Sequence, residues 1–296
     1  MAMRITSGMT QRNILADLNR VSERLNKTHQ KISSNREITR PSDDPFNTSR
    51  AMALRTSMES TQQFQRNIED ALGWQDTAET ALADIGDAIR RAHELVVEGA
   101  SDSTPPDARL AIADEIDQLI ESIKQNGNVT YRGRYVFSGT TTDVPPYADG
   151  DDAFHGSTAG VERQIGPGVS LEIGLLGSSF IGNGADGKAL QVLRDVSTHL
   201  RSNDGAALRS DLQGLDAKTE ELSGVRALNG ARQNRLEAAL GRLQEVEGAT
   251  LQQLSNTEDV DIAKAMIDFS SQQAAYQAAL KAGASIIQPS LMDFLR

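Results

Sequence analysis

Apolar side chains recur at alternating spacings of four and three residues near both ends of the chain. In the first segment the repeat is formed by Ile14, Leu18, Val21, Leu25 and Ile32, with Thr28 in the remaining position. In the last segment it is formed by Ile262, Met266, Phe269, Tyr276, Leu280 and Ile287, with Gln273 and Gly283 in register. This heptad spacing predicts two helices that each bury one narrow stripe. Because such a stripe stabilises an isolated helix poorly, each helix is expected to need a partner.

Two interpretations of these terminal seam residues are open, and they do not exclude each other. In the first, the two segments pair within one chain as an ordinary two-helix seam. In the second, they pack against neighbouring subunits of an assembly. The rich supply of Gln, Asn and Ser on the other helix faces fits either solvated surface or subunit packing, so it does not decide between them.

The interior of the chain predicts further long helices interrupted once by strand-like segments. Helical periodicity runs from Asp44 to about Gly99, resumes after Pro106, and returns from Asp186 onward. Between residues 129 and 181, short β-branched and aromatic runs alternate with Gly, Pro and Asp clusters, which indicates strands and turns. The pattern predicts a mainly α fold, a helical rod or coiled-coil bundle with a small β-rich insertion. The expected divisions are an assembly region (1–43 and 257–296), a rod domain (44–140 and 186–256) and an outer β domain (141–185).

The stretch from residue 36 to residue 54 predicts a hinge between two helices. Pro41 ends the first helical pattern because it lacks a backbone donor. Asp44 occupies the expected N-cap position, and Pro45 follows at the first helical position, where a missing N–H is harmless. Asp43 adds negative charge near the positive end of the next helix, and Phe46 follows the second proline. The alternative, paired carboxylates acting in acid–base chemistry, lacks a cleft and supporting residues nearby.

Composition and charge exclude several classes of function. The 296-residue chain has a net charge of −11 and no cysteine, so neither disulfides nor thiolate metal sites are expected. An acidic chain lacks the basic surface that nucleic-acid binding requires. It also lacks an apolar run of about 18 residues, so no membrane-spanning helix is expected. The mildly basic first 50 residues have no apolar core or cleavage site of a signal peptide.

Motifs that could carry chemistry are weak, and the chain is predicted not to be an enzyme. Residues 182–187 match the spacing of a dinucleotide-binding glycine loop, but the chain after them is helical, which favours a simple return loop. Residues 149–152 are acidic but lack the spacing of a calcium loop. The four histidines are scattered, and none has a ligand partner at metal-site spacing. No cofactor, metal or catalytic residue is therefore expected.

Several segments together resemble the flagellin superfamily. They are the hinge N-R-E-I-T-R-P-S-D-D-P-F (35–46), Y-V-F-S-G-T (135–140), V-R-A-L-N-G-A-R-Q-N-R-L (225–236), Q-Q-A-A-Y-Q-A-A-L (272–280) and the tail S-L-M-D-F-L (290–295). The prolines on either side of the Asp pair, Pro41 and Pro45, and this tail are more similar to the hook–filament junction members than to filament flagellins. Flagellins usually continue the Asp pair with alanine and glycine.

The resemblance implies a structural subunit that joins hook and filament of the bacterial flagellum, with both termini folding only on assembly. The implied partners are further copies of the chain, flagellin on one side and the first hook-associated protein on the other. A dedicated chaperone and the type III export apparatus are implied for secretion to an extracellular location. The resemblance implies neither a nucleic-acid nor a membrane partner. Filament flagellin, or a secreted coiled-coil adhesin or needle-tip protein, are the alternatives.

Overall fold

A computed structural model describes residues 7–148 and 150–294, although not the side chains of residues 7, 8, 10, 11 and 285–294. The described chain is mainly α-helical, which confirms the predicted fold class. The helices are α1 (Ser7–Ser34), α2 (Pro45–Gly99), α3 (Pro106–Gly127), α4 (Gly177–Phe180), α5 (Ala189–Arg201), α6 (Gly205–Glu258) and α7 (Ile262–Phe294). The strands are β1 (Thr130–Tyr131), β2 (Arg134–Tyr135), β3 (Glu162–Gly166) and β4 (Val169–Glu172).

The chain divides into two compact units. The terminal unit comprises Met1–Ser60 and Glu247–Arg296, and the central unit comprises Thr61–Val246. These boundaries differ from the expected ones at residues 43/44 and 256/257. The difference arises because α2 and α6 are continuous helices that contribute residues to both units, whereas the expected boundaries were placed at turns.

The central unit has one apolar core that includes both helical and β-rich segments. Its largest fully buried side chains include Ile68, Trp74, Leu82 and Ile116 from the helices and Phe137, Tyr147 and Ile173 from residues 136–181. Residues 141–185 thus contribute apolar side chains to this core. This sharing has a physical reason, since isolated two-stranded hairpins bury too little surface to be stable alone.

The strands form two separate antiparallel hairpins, β1–β2 and β3–β4. The first turns through Arg132 and Gly133, both with positive φ, as a two-residue primed turn requires. Within residues 7–148 and 150–294 there is no parallel sheet. The glycine loop at 182–187 therefore connects α4 to α5 without the sheet that a dinucleotide site needs.

A buried arginine closes the turn between α2 and α3. Arg109 is only 6% exposed, and its Nε donates to the Gly99 carbonyl at 2.8 Å. Its Nη2 donates to the Ser101 carbonyl at 2.9 Å, and its Nη1 donates to Asn203 Oδ1 in the turn before α6. Because Gly99 ends α2, the guanidinium satisfies a carbonyl that has no partner within the helix.

An ion-pair network attaches the segment before β3 to α3 and α5. Asp152 accepts hydrogen bonds from Arg194 at 2.8 and 3.1 Å, and it lies 3.5 Å from the almost fully buried Lys124 ammonium. The hydrogen bonds from Arg194 are the main reason why the pKa of Asp152 lies below its ordinary value. Ionised Asp152 therefore stabilises the central unit.

Two helical glycines in the central unit have opposite surroundings. A Cβ on Gly127 would lie 2.9 Å from the ring of Tyr147 and 3.0 Å from Ile181, both fully buried. A Cβ on Gly224 in α6 would meet nothing within 4 Å. Only the first glycine is required by packing.

Candidate assembly interface

The two terminal helices pack against each other as an antiparallel pair. At one end, Gly283 of α7 lies so close to α1 that a Cβ there would approach Ile14 Cγ2 to 3.2 Å. Further along, Thr28 Oγ1 donates to Gln272 Oε1 at 3.0 Å, and the His29 and Phe269 rings lie 6.0 Å apart. Along the pair, the contacting residues of α7 decrease in number as those of α1 increase, so the two helices run antiparallel.

The α1 residues of the terminal seam lie at the edge of this pair rather than in a closed core. All five of them are half-buried: Ile14, Leu18, Val21, Leu25 and Ile32. The helix thus turns its apolar stripe toward α7 but does not bury it fully. An intramolecular seam therefore exists, and it is incomplete.

The α7 residues of the seam divide into two groups. Phe269 and Tyr276 are half-buried, whereas Ile262, Met266 and Leu280 are 52%, 48% and 45% exposed. The face toward α1 instead includes Ala265, Gln272 and Gly283, as their burial shows. The side chain of Ile287 lies outside the described residues. The apolar stripe of α7 is therefore wider than its contact with α1, and one flank remains uncovered.

The hinge between α1 and α2 is fixed by the aspartate pair. The Asn47 amide donates to Asp44 Oδ1 at 3.0 Å, so Asp44 is the N-cap of α2, and Pro45 is its first residue. This backbone hydrogen bond, followed by one from the Asn47 side chain, lowers the pKa of Asp44. Asp43 also binds α1, because its carboxylate lies 2.9 Å from Lys27 Nζ.

A buried glutamate that sequence reasoning missed links the hinge to the end of α6. Glu258 is 6% exposed and forms ion pairs with Arg55 at 2.6 Å and with Arg36 at 3.6 Å. Its backbone carbonyl accepts a hydrogen bond from the Glu37 amide at 2.6 Å. The partners lie about 200 residues away along the chain, and no local signal distinguishes Glu258 from other acidic residues at helix ends.

The terminal unit buries few apolar side chains and exposes many large ones. Among its described residues, the buried hydrophobic ones are Ala51, Val260 and Ala265. Those left largely exposed are Met9, Leu15, Phe46, Met52, Leu251, Ile262, Met266, Ile267 and Leu280. Phe46 of the hinge is 76% exposed, and the neighbouring Pro41 is exposed as well. Where such side chains lie together on one face, as Ile262 and Met266 do on α7, they mark interaction sites on soluble proteins.

A groove beside the hinge adds concave apolar surface to the same unit. It has a volume of about 270 Å³ and is lined by Ile38, Pro41, Ala51 and Met52. Arg36, Arg40, Arg55 and Glu258 also line it, and Glu258 forms ion pairs with Arg36 and Arg55. The terminal unit thus presents both protruding and concave apolar features.

The described part of the chain holds no cluster of His, Asp or Glu side chains that could bind a metal ion. Three histidines each lie beside a single aspartate in these ion pairs: His93 beside Asp216, His155 beside Asp151 and His199 beside Asp211. No helix among the described residues is both long and apolar enough to span a bilayer.

This arrangement of terminal helices is that of a family of flagellar proteins. The chain belongs to the flagellin family: the bacterial flagellin N-terminal helical region matches residues 5–142, and the C-terminal helical region matches residues 212–295. The two regions together contain α1, α2, α3 and α7 and most of α6, but neither α4 nor α5. Members of this family are structural components of the bacterial flagellum.

Individual relatives fall into two groups by name. Flagellar hook-associated protein 3 of Salmonella typhimurium is 25% identical over 310 aligned residues, covering 94% of this chain and 95% of the relative. Flagellin of Bacillus subtilis is 28% identical over 310 aligned residues, covering 99% of this chain and the whole relative. Among solved structures, a flagellar hook-associated protein of Vibrio parahaemolyticus has a TM-score of 0.67 at 20% identity, covering 73% of this chain and all of the other. That structural likeness shows the shared fold.

Proposed function

We propose that this protein joins the hook to the filament of the bacterial flagellum and assembles through its terminal unit. The observation that carries the proposal is the contrast between three small buried hydrophobic residues and nine large exposed ones in that unit. Burying an apolar side chain of this size contributes about 1.5–3 kcal/mol. Neighbouring subunits that cover the exposed side chains would therefore stabilise the assembly.

The uncovered flank of α7 is the proposed contact with other subunits. Ile262 and Met266 lie one turn apart, and Leu280 lies about four turns further along the same flank, on a helix whose other flank already contacts α1. A neighbouring helix placed against this flank would complete the heptad packing that the sequence pattern predicts. The intramolecular and intermolecular interpretations of the seam thus apply to different sides of one helix.

The proposed partners are further copies of this chain, flagellin on the filament side and the first hook-associated protein on the hook side. Support comes from the relatives named hook-associated protein 3 and from the prolines that flank the Asp pair in the hinge. Head-to-tail contacts between identical subunits suit a tubular organelle, because heterologous interfaces generate rings or helices. Export by the type III apparatus with a dedicated chaperone to the extracellular flagellum is part of the same proposal.

Filament flagellin is the second candidate, and one observation favours it. The Bacillus subtilis flagellin aligns with nearly the whole chain at 28% identity, slightly above the value for hook-associated protein 3. Both candidates use the same terminal-unit chemistry, so they differ in position within the organelle rather than in assembly mechanism. Membership of the flagellin family leaves no support for the adhesin and needle-tip alternatives.

A deletion strain distinguishes the two candidates. Loss of a junction protein leaves hooks intact while flagellin escapes into the medium, so culture supernatants should contain unassembled flagellin. Loss of a filament flagellin instead removes the main filament protein and leaves no such release. Normal filaments in the deletion strain would refute both.

Complementation then tests the terminal unit itself. A variant with Ile262→Gln, Met266→Gln and Leu280→Gln should be exported but should fail to restore swimming, because its uncovered α7 flank is polar. The matched control is Leu228→Gln, which makes the same change at a similarly exposed leucine (49%) of the central unit and should restore swimming. Full swimming with the triple variant would refute the assigned contact.

A further inference from the structure

Two amide side chains in the central unit are fully buried, one on α2 and the other on α6. Gln75 of α2 and Asn229 of α6 are both completely inaccessible to solvent. Gln75 Nε2 donates to the carbonyl of Ile173 at 3.1 Å, just after β4. Asn229 Nδ2 donates to the backbone carbonyl of Gln75 at 3.2 Å and to Glu79 Oε2 at 3.4 Å. These bonds link α2, α6 and the end of the β3–β4 hairpin in one small region.

The orientation of both amides is fixed by these partners. Rotating the Gln75 amide by half a turn would place its oxygen against the Ile173 carbonyl, and rotating that of Asn229 would place its oxygen against the Gln75 carbonyl. Two acceptors cannot bond to each other, so Gln75 Oε1 and Asn229 Oδ1 must point away from those carbonyls. Neither oxygen receives a hydrogen bond from any protein donor in the described chain.

Buried acceptors without a donor are costly, and native proteins satisfy them with protein groups or with ordered water. A group that satisfies both amide oxygens at once must be small and must offer two hydrogens. Water meets these requirements, and buried water typically makes about three hydrogen bonds. The indole Nε1 of Trp74, the preceding residue, is a third buried atom without a protein partner, and water also has lone pairs to accept from a donor.

We propose a water-binding site between α2 and α6, in which one buried water molecule donates to both Gln75 Oε1 and Asn229 Oδ1. Together with the hydrogen bond from Gln75 to the Ile173 carbonyl, the water holds the end of the β3–β4 hairpin to both long helices of the central unit. Arg232 Nη1 separately donates to the adjacent Gly174 carbonyl at 2.8 Å. This site is independent of the proposed flagellar role.

The direct test is a crystal structure of the full chain at a resolution that places ordered water. The expected result is one water within about 2.7–3.2 Å of both amide oxygens. Separate waters on the two oxygens, or a protein donor reaching either one, would overturn the proposal.

A double-mutant cycle gives a second, solution test. Gln75→Leu and Asn229→Leu should each lower the urea midpoint of unfolding, and the double variant should lose clearly less than the sum of the two. The two side chains share no direct hydrogen bond, since Asn229 binds the backbone of Gln75, so this coupling reports the shared water. Gln75→Leu combined with Arg232→Met is the matched control, because these residues bind adjacent carbonyls without the water between them. Coupling no larger than in the control would overturn the proposal.

Discussion

Replacing Arg109 with methionine should destabilise the central unit severely. The substitution keeps an unbranched side chain of similar length but removes the donors to the carbonyls of Gly99 and Ser101 and to Asn203 Oδ1. The Gly99 carbonyl is buried, whereas Ser101 and Asn203 are exposed and can bind water in the variant. The loss is therefore dominated by one buried carbonyl.

The magnitude follows from these three acceptors. A hydrogen bond to a charged group contributes about 1.5–3 kcal/mol when its acceptor is left buried and unpaired. The two acceptors that regain water add about 0.5 kcal/mol each, the low end of the range for ordinary bonds. We expect Arg109→Met to lower the free energy of unfolding by about 3 kcal/mol, a large fraction of the stability of a typical domain.

The assay is urea unfolding followed by the fluorescence of Trp74, the single tryptophan, which is buried in the same unit. The midpoint should fall while the slope stays unchanged, since the surface exposed on unfolding is the same. Arg90→Met is the matched control: Arg90 is 67% exposed and pairs with Asp87 within its own helix, so it should change stability by less than about 0.5 kcal/mol. If both variants unfolded at the same midpoint, the assigned role of Arg109 would be wrong.

Further predictions concern the glycines, the aspartates and the termini. Gly127→Ala should destabilise by about 1–3 kcal/mol through overpacking, whereas Gly224→Ala should stabilise by about 0.5–1 kcal/mol, both measured by urea unfolding; equal signs would contradict the packing described. Asp152→Asn should weaken the central unit at neutral pH. Because the folded pKa of Asp152 is lowered, its contribution is present above the ordinary carboxyl pKa and is lost as pH falls through the folded value, so the variant should show a flatter acid limb. Asp44→Ala should lower the thermal midpoint of the helical signal followed by circular dichroism, while Pro45→Ala should not, and identical midpoints would show that Asp44 is not the cap. Limited proteolysis of the free chain should remove roughly the first 40 and last 40 residues and spare the centre, and a chain resistant throughout would refute assembly-coupled folding.

Local sequence signals predicted the bounds of the helices well because their chemistry is local. Pro45 preceded by Asp44 specifies the start of α2, and Gly99 followed by a turn specifies its end. The heptad spacing likewise predicted α1 and α7 and the side of α1 that faces α7. These features depend on capping, backbone geometry and periodicity, which a single sequence displays directly.

The contacts that sequence reasoning missed all depend on distant residues. A heptad pattern gives the apolar stripe of α7 but does not say which flank faces α1. It therefore predicts Gln273 in the seam, whereas the residue that binds Thr28 is Gln272. Arg109 and Glu258 look like ordinary charged residues of helices, and their burial follows from partners in other elements. The unit boundaries lie inside α2 and α6, where no break in the sequence marks them.

The pairing of Ile14 with Gly283 also determines when this part of the molecule can form. The two residues are separated by almost the entire polypeptide, so their contact cannot form during synthesis until the final helix has been made. A chain still being synthesised therefore holds its first helix unpaired. Closure of α1 on α7 is thus a late, long-range step of folding, and its rate is set by the whole length of chain between the two helices.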